Sequence, residues 1–402
     1  MVDHTGNRTG TSSRRTFILA GGAVGIAGLA GCTGSEDDGG DGGDGEAGAG
    51  LGGSGDDGDG ENGGEPGDPM LSDDFAPEDP DWMNNNYLGS HIVENNYIRG
   101  SQLDLENMAN RGREDAVYGN DVRENPDDPD DRIDPDPIVY AELPREDSES
   151  AYREQLLPML EKLEEETGRP VEFRAIDSYA AVVEGMRSER IHIANYATGN
   201  TPFGVNLAGA VPFAVGHEAD GQFGYRLLAG THANSDDIQS VEDFTDVRVA
   251  HTEESSNSGN QAPSALFDEI FGVTRGENYE PEFAGGHEQV ARGIAYGDFD
   301  AGPLCSSCWE NTVEAVDDIE YDDFKIVWAS DPFPSGPIAY RYNLEPDIIE
   351  GMERTFLETD WEGTSFAEAN YPTYVPVDYK NHWHEIMVIQ QFNGVEYEQG
   401  AL

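Results

Sequence analysis

The sequence predicts an α/β protein with two lobes, each a mostly parallel sheet flanked by helices. Strand-like and helix-like segments alternate from residue 137 onward, starting with PIVYA and then SAYREQLLPMLEKLEEETG. This alternation favours parallel strands that are joined by right-handed helical crossovers. The patterned body is about 265 residues long, which is large for one sheet, so two lobes are the natural way to bury it.

The elements of this body follow one another in a regular order. The strand patterns are PIVYA, VEFRAI, IHIANY, GYRLLAG, VRVAHT and FKIVWAS, and the helix patterns are SAYREQLLPMLEKLEEETG, SYAAVVEGMRSER, VEDF, QAPSALFDEIFGV and HEQVARGIAYG. The strand segments are short, apolar and rich in β-branched residues, whereas the longer helix segments repeat apolar residues three and four apart. Gly168 and Pro170 end the first helix.

Composition divides the chain into six predicted segments. They are a twin-arginine signal peptide with a lipobox (1–32), a disordered Gly/Asp-rich tether (33–69), an acidic and partly ordered extension (70–136), the first part of lobe 1 (137–235), lobe 2 (236–327), and the return to lobe 1 with a C-terminal tail (328–402). The tether has almost nothing to bury, and its random-coil span is roughly 35 Å. The composition assigns no role to the extension.

The chain has a large excess of acidic residues. Its 402 residues include 81 Asp and Glu against 23 Lys and Arg, for a net charge of −58. Such a surface stays hydrated in concentrated salt, where the Debye length shrinks to roughly 3 Å at 1 M, so the composition predicts a halophilic protein. Nucleic acid is excluded as a partner, as is an anionic lipid surface for the body, because both require a basic stripe that the sequence lacks.

The N-terminal residues predict export. Ser13-Arg14-Arg15-Thr16-Phe17-Ile18 has the form of a twin-arginine signal, and the apolar stretch after it is too short and glycine-rich to be a good membrane-spanning helix. The segment ends in Leu29-Ala30-Gly31-Cys32, which resembles the lipobox of secreted lipoproteins. We therefore expect a lipid anchor at Cys32 and a body outside the cell membrane. The alternative is an ordinary signal peptide that ends in Cys.

Five motifs in the body carry a family resemblance. They are Asp177-Ser178-Tyr179 leading into AAVVEGMRSERIHIA, GYRLLAG with SDDIQSVEDFTDVRVA, the turn SSNSG, AGGHEQVARGIAYGDFDAG, and WASDPFPSGPIAYRYNLEP. In this order the sequence resembles the substrate-binding proteins of phosphonate, phosphite and phosphate ABC transporters. The resemblance implies a periplasmic-binding-protein (venus-flytrap) fold that binds an anion between its lobes and delivers it to a membrane permease subunit. Closure about a hinge is a known ligand switch.

The turn SSNSG has the chemistry of an anion site. Ser256, Asn257 and Ser258 precede a helix that is predicted to begin near Ala262-Pro263. Backbone N–H groups at a helix start are unpaired and partly positive, and hydroxyl and amide side chains add further donors. The family turn usually has Thr where this chain has Asn257. The alternative interpretation is a simple N-cap, which Ser and Asn also provide.

The resemblance implies further ligand contacts. His287 matches a histidine that contacts the anion, with a surface cap as its alternative, and Tyr179 matches a phenol donor, with packing as its alternative. The segment YATGNT lacks the family's Gly-Pro and second Tyr, so Thr198, Gly199 or Thr201 would supply that contact.

The alignment also bears on the type of ligand. It places Ser307 and Ser335-Gly336 where amino-phosphonate binders have carboxylates, which favours phosphate, phosphite or a simple alkylphosphonate. A register error would restore Asp300 or Asp331 at one of these positions.

Cys305 and Cys308 form a C-x-x-C pair, which outside the cell favours a local disulfide. A redox centre is the alternative. A metal site would need two more ligands, for which His382 and His384 are the candidates, although surface or packing roles are commoner for such residues. Haem attachment is excluded because Trp309 stands where a His is required.

We therefore predict a binding protein for a phosphorus oxyanion, with no catalytic residue, metal or cofactor. The sequence lacks the G-x-S-x-G, H-E-x-x-H, Walker and dinucleotide motifs of common enzyme classes. Two alternatives remain open at this stage: a protein of the same fold for another small anion or a precursor, and an extracytoplasmic redox protein that uses the cysteine pair.

Overall fold

A computed structural model describes residues 75–77, 79–142, 149–176, 178–254 and 256–398, all of which lie in one compact unit. The side chains of Glu149 and Tyr179 are also outside the description. The predicted signal peptide, the lipobox with Cys32 and the tether lie outside the described residues. Among the helices that are described, none is both long enough and apolar enough to cross a membrane.

Twelve strands form the sheets of the described chain. In chain order they are β1 (Tyr87–Leu88), β2 (Ile138–Glu142), β3 (Val171–Ala175), β4 (Ile193–Asn195), β5 (Ala210–His217), β6 (Leu227–His232), β7 (Ala250–His251), β8 (Glu282–Phe283), β9 (Ala301–Cys305), β10 (Phe324–Ala329), β11 (Ile338–Arg341) and β12 (Thr373–Pro376). Lobe 1 contains a six-stranded sheet in the order β12-β5-β11-β4-β2-β3. Lobe 2 contains a four-stranded sheet in the order β1-β10-β6-β9 and the small pair β7-β8.

Twelve α-helices accompany the strands. They are α1 (Gly89–Glu94), α2 (Gln102–Ala109), α3 (Glu149–Thr167), α4 (Tyr179–Arg187), α5 (Thr201–Phe203), α6 (Ala262–Phe271), α7 (His287–Ala295), α8 (Ser306–Ala315), α9 (Pro346–Leu357), α10 (Ser365–Ala369), α11 (Tyr379–His382) and α12 (His384–Phe392). Short 3₁₀ turns occupy Pro129–Asp131, Thr198–Asn200, Val241–Phe244 and Tyr321–Asp323, and wider π turns occupy Gly204–Ala208 and Asn257–Gln261.

The six-stranded sheet is buried on both faces, which explains the continuous apolar run of β2. Ile138 and Tyr140 contribute to a core with α3 and α9, whereas Val139 and Ala141 contribute to a core with α4. Alternate residues of a strand point to opposite faces, so a strand covered on both sides has no polar face.

The two-lobed α/β prediction is confirmed, but the prediction of mostly parallel sheets is wrong. β2 pairs in parallel with β3 and β4, and β7 pairs in parallel with β8. β11 pairs antiparallel with β4 and β5, and every pairing of the four-stranded sheet is antiparallel. The reason is how the chain reaches β11. Parallel neighbours are joined by helical crossovers, whereas the chain enters β11 directly from the other lobe.

Residues 79–136 of the extension belong to the folded unit and contact both lobes. Its strand β1 pairs with β10 at the edge of the four-stranded sheet. Phe75, Trp82 and Tyr87 form an aromatic cluster, with ring centroids 4.7 Å apart for Phe75 and Tyr87. Asn125 donates to the carbonyls of Tyr342 and Leu344, so the extension also contacts lobe 1.

Two of the segments that connect the lobes pair with each other in antiparallel fashion. β5 ends at His217 in lobe 1 and β6 starts at Leu227 in lobe 2, so the chain crosses earlier than the predicted boundary near residue 235. It returns between β10 and β11, after residue 329. The segments pair through Tyr225 and Phe333, whose backbone N–H groups each donate to the carbonyl of the other, at 3.2 and 2.8 Å.

Candidate functional site

Three helix starts converge on one point of lobe 2. The π turn Asn257–Gln261 runs directly into α6, α7 begins with His287, and Cys305 is the N-cap of α8. Ser256 Oγ lies 3.3 Å from His287 Nε2. The ligand atoms of His287, Cys305 and Cys308 lie within 4.8 Å of one another. Because the start of each helix carries partial positive charge, three starts around one point favour an anion there.

Hydrogen bonds within the turn stabilise the start of the first of these helices. Ser256 is the N-cap, and its Oγ accepts a hydrogen bond from the Gly259 N–H at 3.2 Å. The next side chains are buried, with Asn257 9% and Ser258 3% exposed. The N-cap interpretation is therefore correct for Ser256. It does not compete with anion binding, because capping uses an oxygen lone pair and leaves the hydroxyl proton to be donated elsewhere.

Asn257 connects this turn to the segment that crosses between the lobes. Its Nδ2 donates to the Tyr225 phenol oxygen at 3.1 Å, and its Oδ1 is buried and has no hydrogen-bond partner in the described part of the chain. Burial raises the pKa of Tyr225, and the hydrogen bond from Asn257 acts in the opposite direction. The phenol therefore keeps its proton at neutral pH and remains a donor. Sequence reasoning missed Tyr225, because nothing in GYRLLAG distinguishes it from a packing aromatic.

The lobe 1 side of the site is the turn at Thr198 and Gly199. The Thr198 carbonyl accepts from Trp383 Nε1 at 3.1 Å, and the Gly199 carbonyl accepts from Gln390 Nε2 at 2.7 Å. The Thr198 hydroxyl donates to the Pro334 carbonyl at 2.7 Å. A Cβ placed on Gly199 would lie 3.4 Å from Asn257 Cβ, so the turns of the two lobes lie next to each other.

The structure thus brings together Thr198, Gly199, Ser256, Asn257 and His287 of the predicted ligand set. Ser258 lies in the same turn. Tyr179 starts α4 behind the N-cap Ser178, as the sequence predicts, but its side chain is outside the described residues. Thr201 is buried, and its hydroxyl donates to the Ala197 carbonyl.

The carboxylates that a register error would restore are not both available to a ligand. Asp300 accepts from the backbone N–H and the guanidinium of Arg248, at 2.8 and 2.9 Å. Its side chain is thereby committed to an exposed ion pair. Ser307 Oγ lies 3.5 Å from Cys305 Sγ, beside the site.

The cysteine pair lies in the site, which the sequence did not indicate. The thiols of Cys305 and Cys308 are not bonded to each other, and their Sγ atoms lie 2.7 Å apart. The disulfide stays a prediction. The hydrogen bond from Cys308 lowers the pKa of Cys305 to about 5; burial acts in the opposite direction, and the charge of His287 acts in the same direction as Cys308.

The histidines that the sequence offered to the cysteines lie elsewhere. His382 Nδ1 is 2.9 Å from the Asp378 carbonyl, and His384 Nε2 is 2.8 Å from an Arg113 nitrogen. His287 takes their place beside the cysteines. It lies far from them in the sequence, and only the packing of α7 beside α8 brings them together.

A buried histidine forms hydrogen bonds that stabilise the turn. His251 is fully buried, with Nδ1 2.9 Å from Asn260 Oδ1 and Nε2 3.1 Å from the Tyr279 phenol oxygen. Arg275 also donates to Asn260 Oδ1, at 2.8 Å, so this oxygen is an acceptor and His251 is its Nδ1–H donor. The neutral imidazole can make both bonds, because Nε2 is then free to accept from Tyr279.

We expect this histidine to make the protein acid-sensitive. Burial lowers the pKa of His251 from 6.5 to about 4. Between these values the unfolded chain binds a proton that the folded chain does not bind, so stability falls as the pH drops from 6.5 towards 4, by about 3 kcal/mol for this group. Unfolding free energies in concentrated salt between pH 7 and pH 4.5 measure the effect. His251→Gln should flatten the slope, and an unchanged slope would contradict the assignment.

Comparison with known proteins identifies a family for this chain. A family model for the periplasmic substrate-binding protein of phosphonate ABC transporters matches residues 140–383. The phosphate-import protein PhnD of Mycolicibacterium smegmatis is 32% identical over 249 residues, which cover 59% of this chain and 76% of PhnD. The phosphonates-binding periplasmic protein of Escherichia coli is 24% identical over 210 residues, which cover 49% of this chain and 59% of that protein.

Solved structures show the same fold. A Xanthomonas citri protein bound to chloride ion matches with a TM-score of 0.54 and 17% identity, over 64% of this chain and 98% of that chain. PhnD1 from Prochlorococcus marinus in complex with methylphosphonate matches with a TM-score of 0.50 and 15% identity, over 65% of this chain and 99% of PhnD1. The prediction of a binding protein rather than an enzyme is confirmed by these relatives. The chain belongs to the periplasmic substrate-binding proteins of phosphonate ABC transporters.

Proposed function

We propose that this protein is an exported, lipid-anchored receptor that binds a phosphorus oxyanion between its lobes and delivers it to an ABC permease. The observation that carries the proposal is the convergence of three helix starts at Ser256, His287 and Cys305, opposite the Thr198 turn of the other lobe. Twin-arginine export and lipid attachment at Cys32 rest on the N-terminal sequence alone. Cys32→Ser should move the protein from the membrane fraction to the medium; continued membrane attachment would refute the anchor.

Short-range donors explain how so acidic a chain can bind an anion. The net charge of −58 repels phosphate over long distances, but in concentrated salt that repulsion is screened within roughly 3 Å. Hydrogen bonds from neutral groups to a charged acceptor are not screened in this way and contribute about 1.5–3 kcal/mol each. The hydroxyls of Ser256 and Ser258 are such donors, whereas the backbone N–H groups of Gly259, Asn260 and Gln261 already donate to Ser256.

A small oxyanion fits this site better than an amino-phosphonate. Ser307 lies beside the site, where the sequence alignment expects a carboxylate to pair with an ammonium group, and Asp300 is bound to Arg248. We therefore propose phosphate, phosphite or a simple alkylphosphonate as the ligand. One relative is named for phosphate import, and a solved structure of the same fold is in complex with methylphosphonate; both are in keeping with this range.

A thermal-shift and calorimetry panel in concentrated sodium chloride tests the proposal. The ligands are phosphate, phosphite, methylphosphonate, aminoethylphosphonate, sulfate and nitrate. A ligand at 100 times its dissociation constant should stabilise the protein by about 2.7 kcal/mol. Binding of at least one of the first three, with none or weaker binding of sulfate and nitrate, is expected. Preference for sulfate or nitrate would instead assign the cleft to another anion.

Ser256→Ala should lower the affinity for the preferred ligand by about ten- to a hundredfold, because it removes a donor to a charged acceptor. The cap to Gly259 is lost as well, which costs about 1 kcal/mol of stability. Ser264→Ala is the matched control: Ser264 lies in α6, and its hydroxyl donates to the Asn260 carbonyl instead of facing His287. Equal affinities for the two variants would show that the anion does not contact Ser256.

A further inference from the structure

We propose that His287, Cys305 and Cys308 form a binding site for Zn²⁺, with the fourth coordination position open towards the cleft. The identity of the fourth ligand, an oxygen of the bound oxyanion, rests on the proposed function. The metal site itself does not, because it is built from residues that meet independently of any anion.

The three side chains have the types and the separation that zinc requires. Their ligand atoms lie within 4.8 Å of one another. In a tetrahedral zinc site with Zn–S of about 2.3 Å and Zn–N of about 2.0 Å, ligand atoms are about 3.5–3.8 Å apart. The Sγ atoms, now 2.7 Å apart, would have to separate by about 1 Å, which small changes in side-chain torsion provide. The set of two thiolates, one imidazole and an open position is a known zinc arrangement.

Rigid elements position each of these ligands. Cys305 ends β9, where it pairs with Leu227 of β6, and Cys308 lies in the first turn of α8. His287 is the first residue of α7. Both helices pack into the core of lobe 2 through residues such as Val290 and Trp309. A site on packed elements holds its ligand geometry better than a site on loops.

The surroundings of His287 suit a metal ligand. Its Nδ1 is buried and has no hydrogen-bond partner among the described residues, while Nε2 lies 3.3 Å from Ser256 Oγ. Zinc on Nδ1 leaves the Nε2 proton to be donated to Ser256, which is the second hydrogen bond that orients metal-binding histidines. Ser256 would then connect the metal to the anion turn.

Charge gives the site a role in anion binding. Zn²⁺ with two thiolates has no net formal charge, and its open position accepts an oxygen donor. The neutral metal centre would therefore offer the oxyanion a contact without adding negative charge beside it.

Metal retention tests the site without any anion. The full-length chain with Cys32→Ser, so that only two cysteines remain, is reduced with a phosphine, incubated with zinc chloride in concentrated sodium chloride and dialysed. About one equivalent of zinc per chain should remain. Cobalt in place of zinc should give a thiolate-to-metal charge-transfer band in the near ultraviolet. Absence of retained metal or of this band would overturn the proposal, as would disulfide formation in the presence of zinc.

Single substitutions distinguish the residues that bind zinc from residues that do not. Cys305→Ser, Cys308→Ser and His287→Gln should each reduce retained zinc from about one equivalent to near zero. His232→Gln is the matched control, because His232 lies at the far end of β6 and its Nδ1 accepts from the Asn234 N–H. Circular dichroism identifies any variant that fails to fold, and the half-exposed Cys308 makes its variant the most tolerant. Zinc retention by a folded Cys308→Ser variant would refute the site.

Anion affinity with and without zinc tests the open position. Zinc should raise the affinity for the preferred oxyanion by about tenfold, which lies within the usual range of coupling between two ligands. Retained zinc with no oxyanion binding at all would leave the metal site standing and refute the proposed function. Retained zinc with an unchanged anion affinity would refute the fourth ligand.

Discussion

Replacing Gly224 with alanine should destabilise the protein by about 4 kcal/mol, because the new methyl group would clash with the backbone of another segment. Gly224 has a φ of 62°, in the left-handed region, and a Cβ built on it lies 1.9 Å from the Phe333 carbonyl oxygen. The obstacle is backbone, so a side-chain rotation cannot relieve it. Unfolding in denaturant in concentrated salt measures the loss as a lower transition midpoint.

The position of Gly224 explains why the loss should be large. The next residue, Tyr225, exchanges two backbone hydrogen bonds with Phe333 in the other crossing segment. Any shift that makes room for a methyl group breaks this pair, and it moves the Tyr225 phenol away from Asn257. We therefore expect the variant to bind the oxyanion more weakly as well.

Gly221→Ala separates backbone strain from the steric contact. Gly221 also has a positive φ, of 85°, but the nearest atoms to its added Cβ are 3.9 Å away in Gln102. It should lose only the 1–2 kcal/mol of a left-handed L residue. Equal losses at both glycines would mean that the contact with Phe333 contributes nothing.

Several helices and strands of the body could be predicted from local sequence patterns. PIVYA became β2, VEFRAI became β3, and QAPSALFDEIFGV became α6, because apolar period and length distinguish strand from helix in segments such as these. β9, with the sequence AGPLC, was missed because glycine and proline argue against a strand. It is an edge strand of its sheet, where a missing N–H donor is tolerated.

Strand direction and the site's neighbours depended on tertiary structure. No local pattern shows that β11 enters between β4 and β5 from the other lobe, and therefore antiparallel. The turn SSNSG and His287 could be identified from composition and from the family resemblance. That Cys305 faces His287 could not be predicted, because it follows from how α7 and α8 pack on one sheet and not from the spacing of any motif.

Gly259, the last residue of SSNSG, should prove as important as the serines before it. A Cβ on Gly259 would lie 1.9 Å from Thr252 Oγ1 and 2.5 Å from its Cγ2, so alanine must push the turn away from β7. The turn is also tied there by a hydrogen bond from the Thr252 N–H to the Gly259 carbonyl, at 3.2 Å. Overpacking of this kind costs about 1–3 kcal/mol of stability.

Gly259→Ala should weaken oxyanion binding by about a hundredfold, more than Ser256→Ala, because displacement of the turn misplaces several donors together. Each charge-assisted hydrogen bond that is lost costs about 1.5–3 kcal/mol. Titration calorimetry in concentrated salt with the preferred ligand provides the measurement. Wild-type affinity in this variant would show that the turn does not bind the anion.

Thr252→Ala provides the internal control, since it removes the two atoms closest to the new methyl group. Alone it should change affinity little, because Thr252 Oγ1 has no hydrogen-bond partner among the described residues. In the Gly259→Ala background it should recover most of the lost affinity, and a double-mutant cycle would then give a coupling energy above 1 kcal/mol. Additive effects would instead mean that contact with Thr252 Oγ1 and Cγ2 does not cause the loss of affinity.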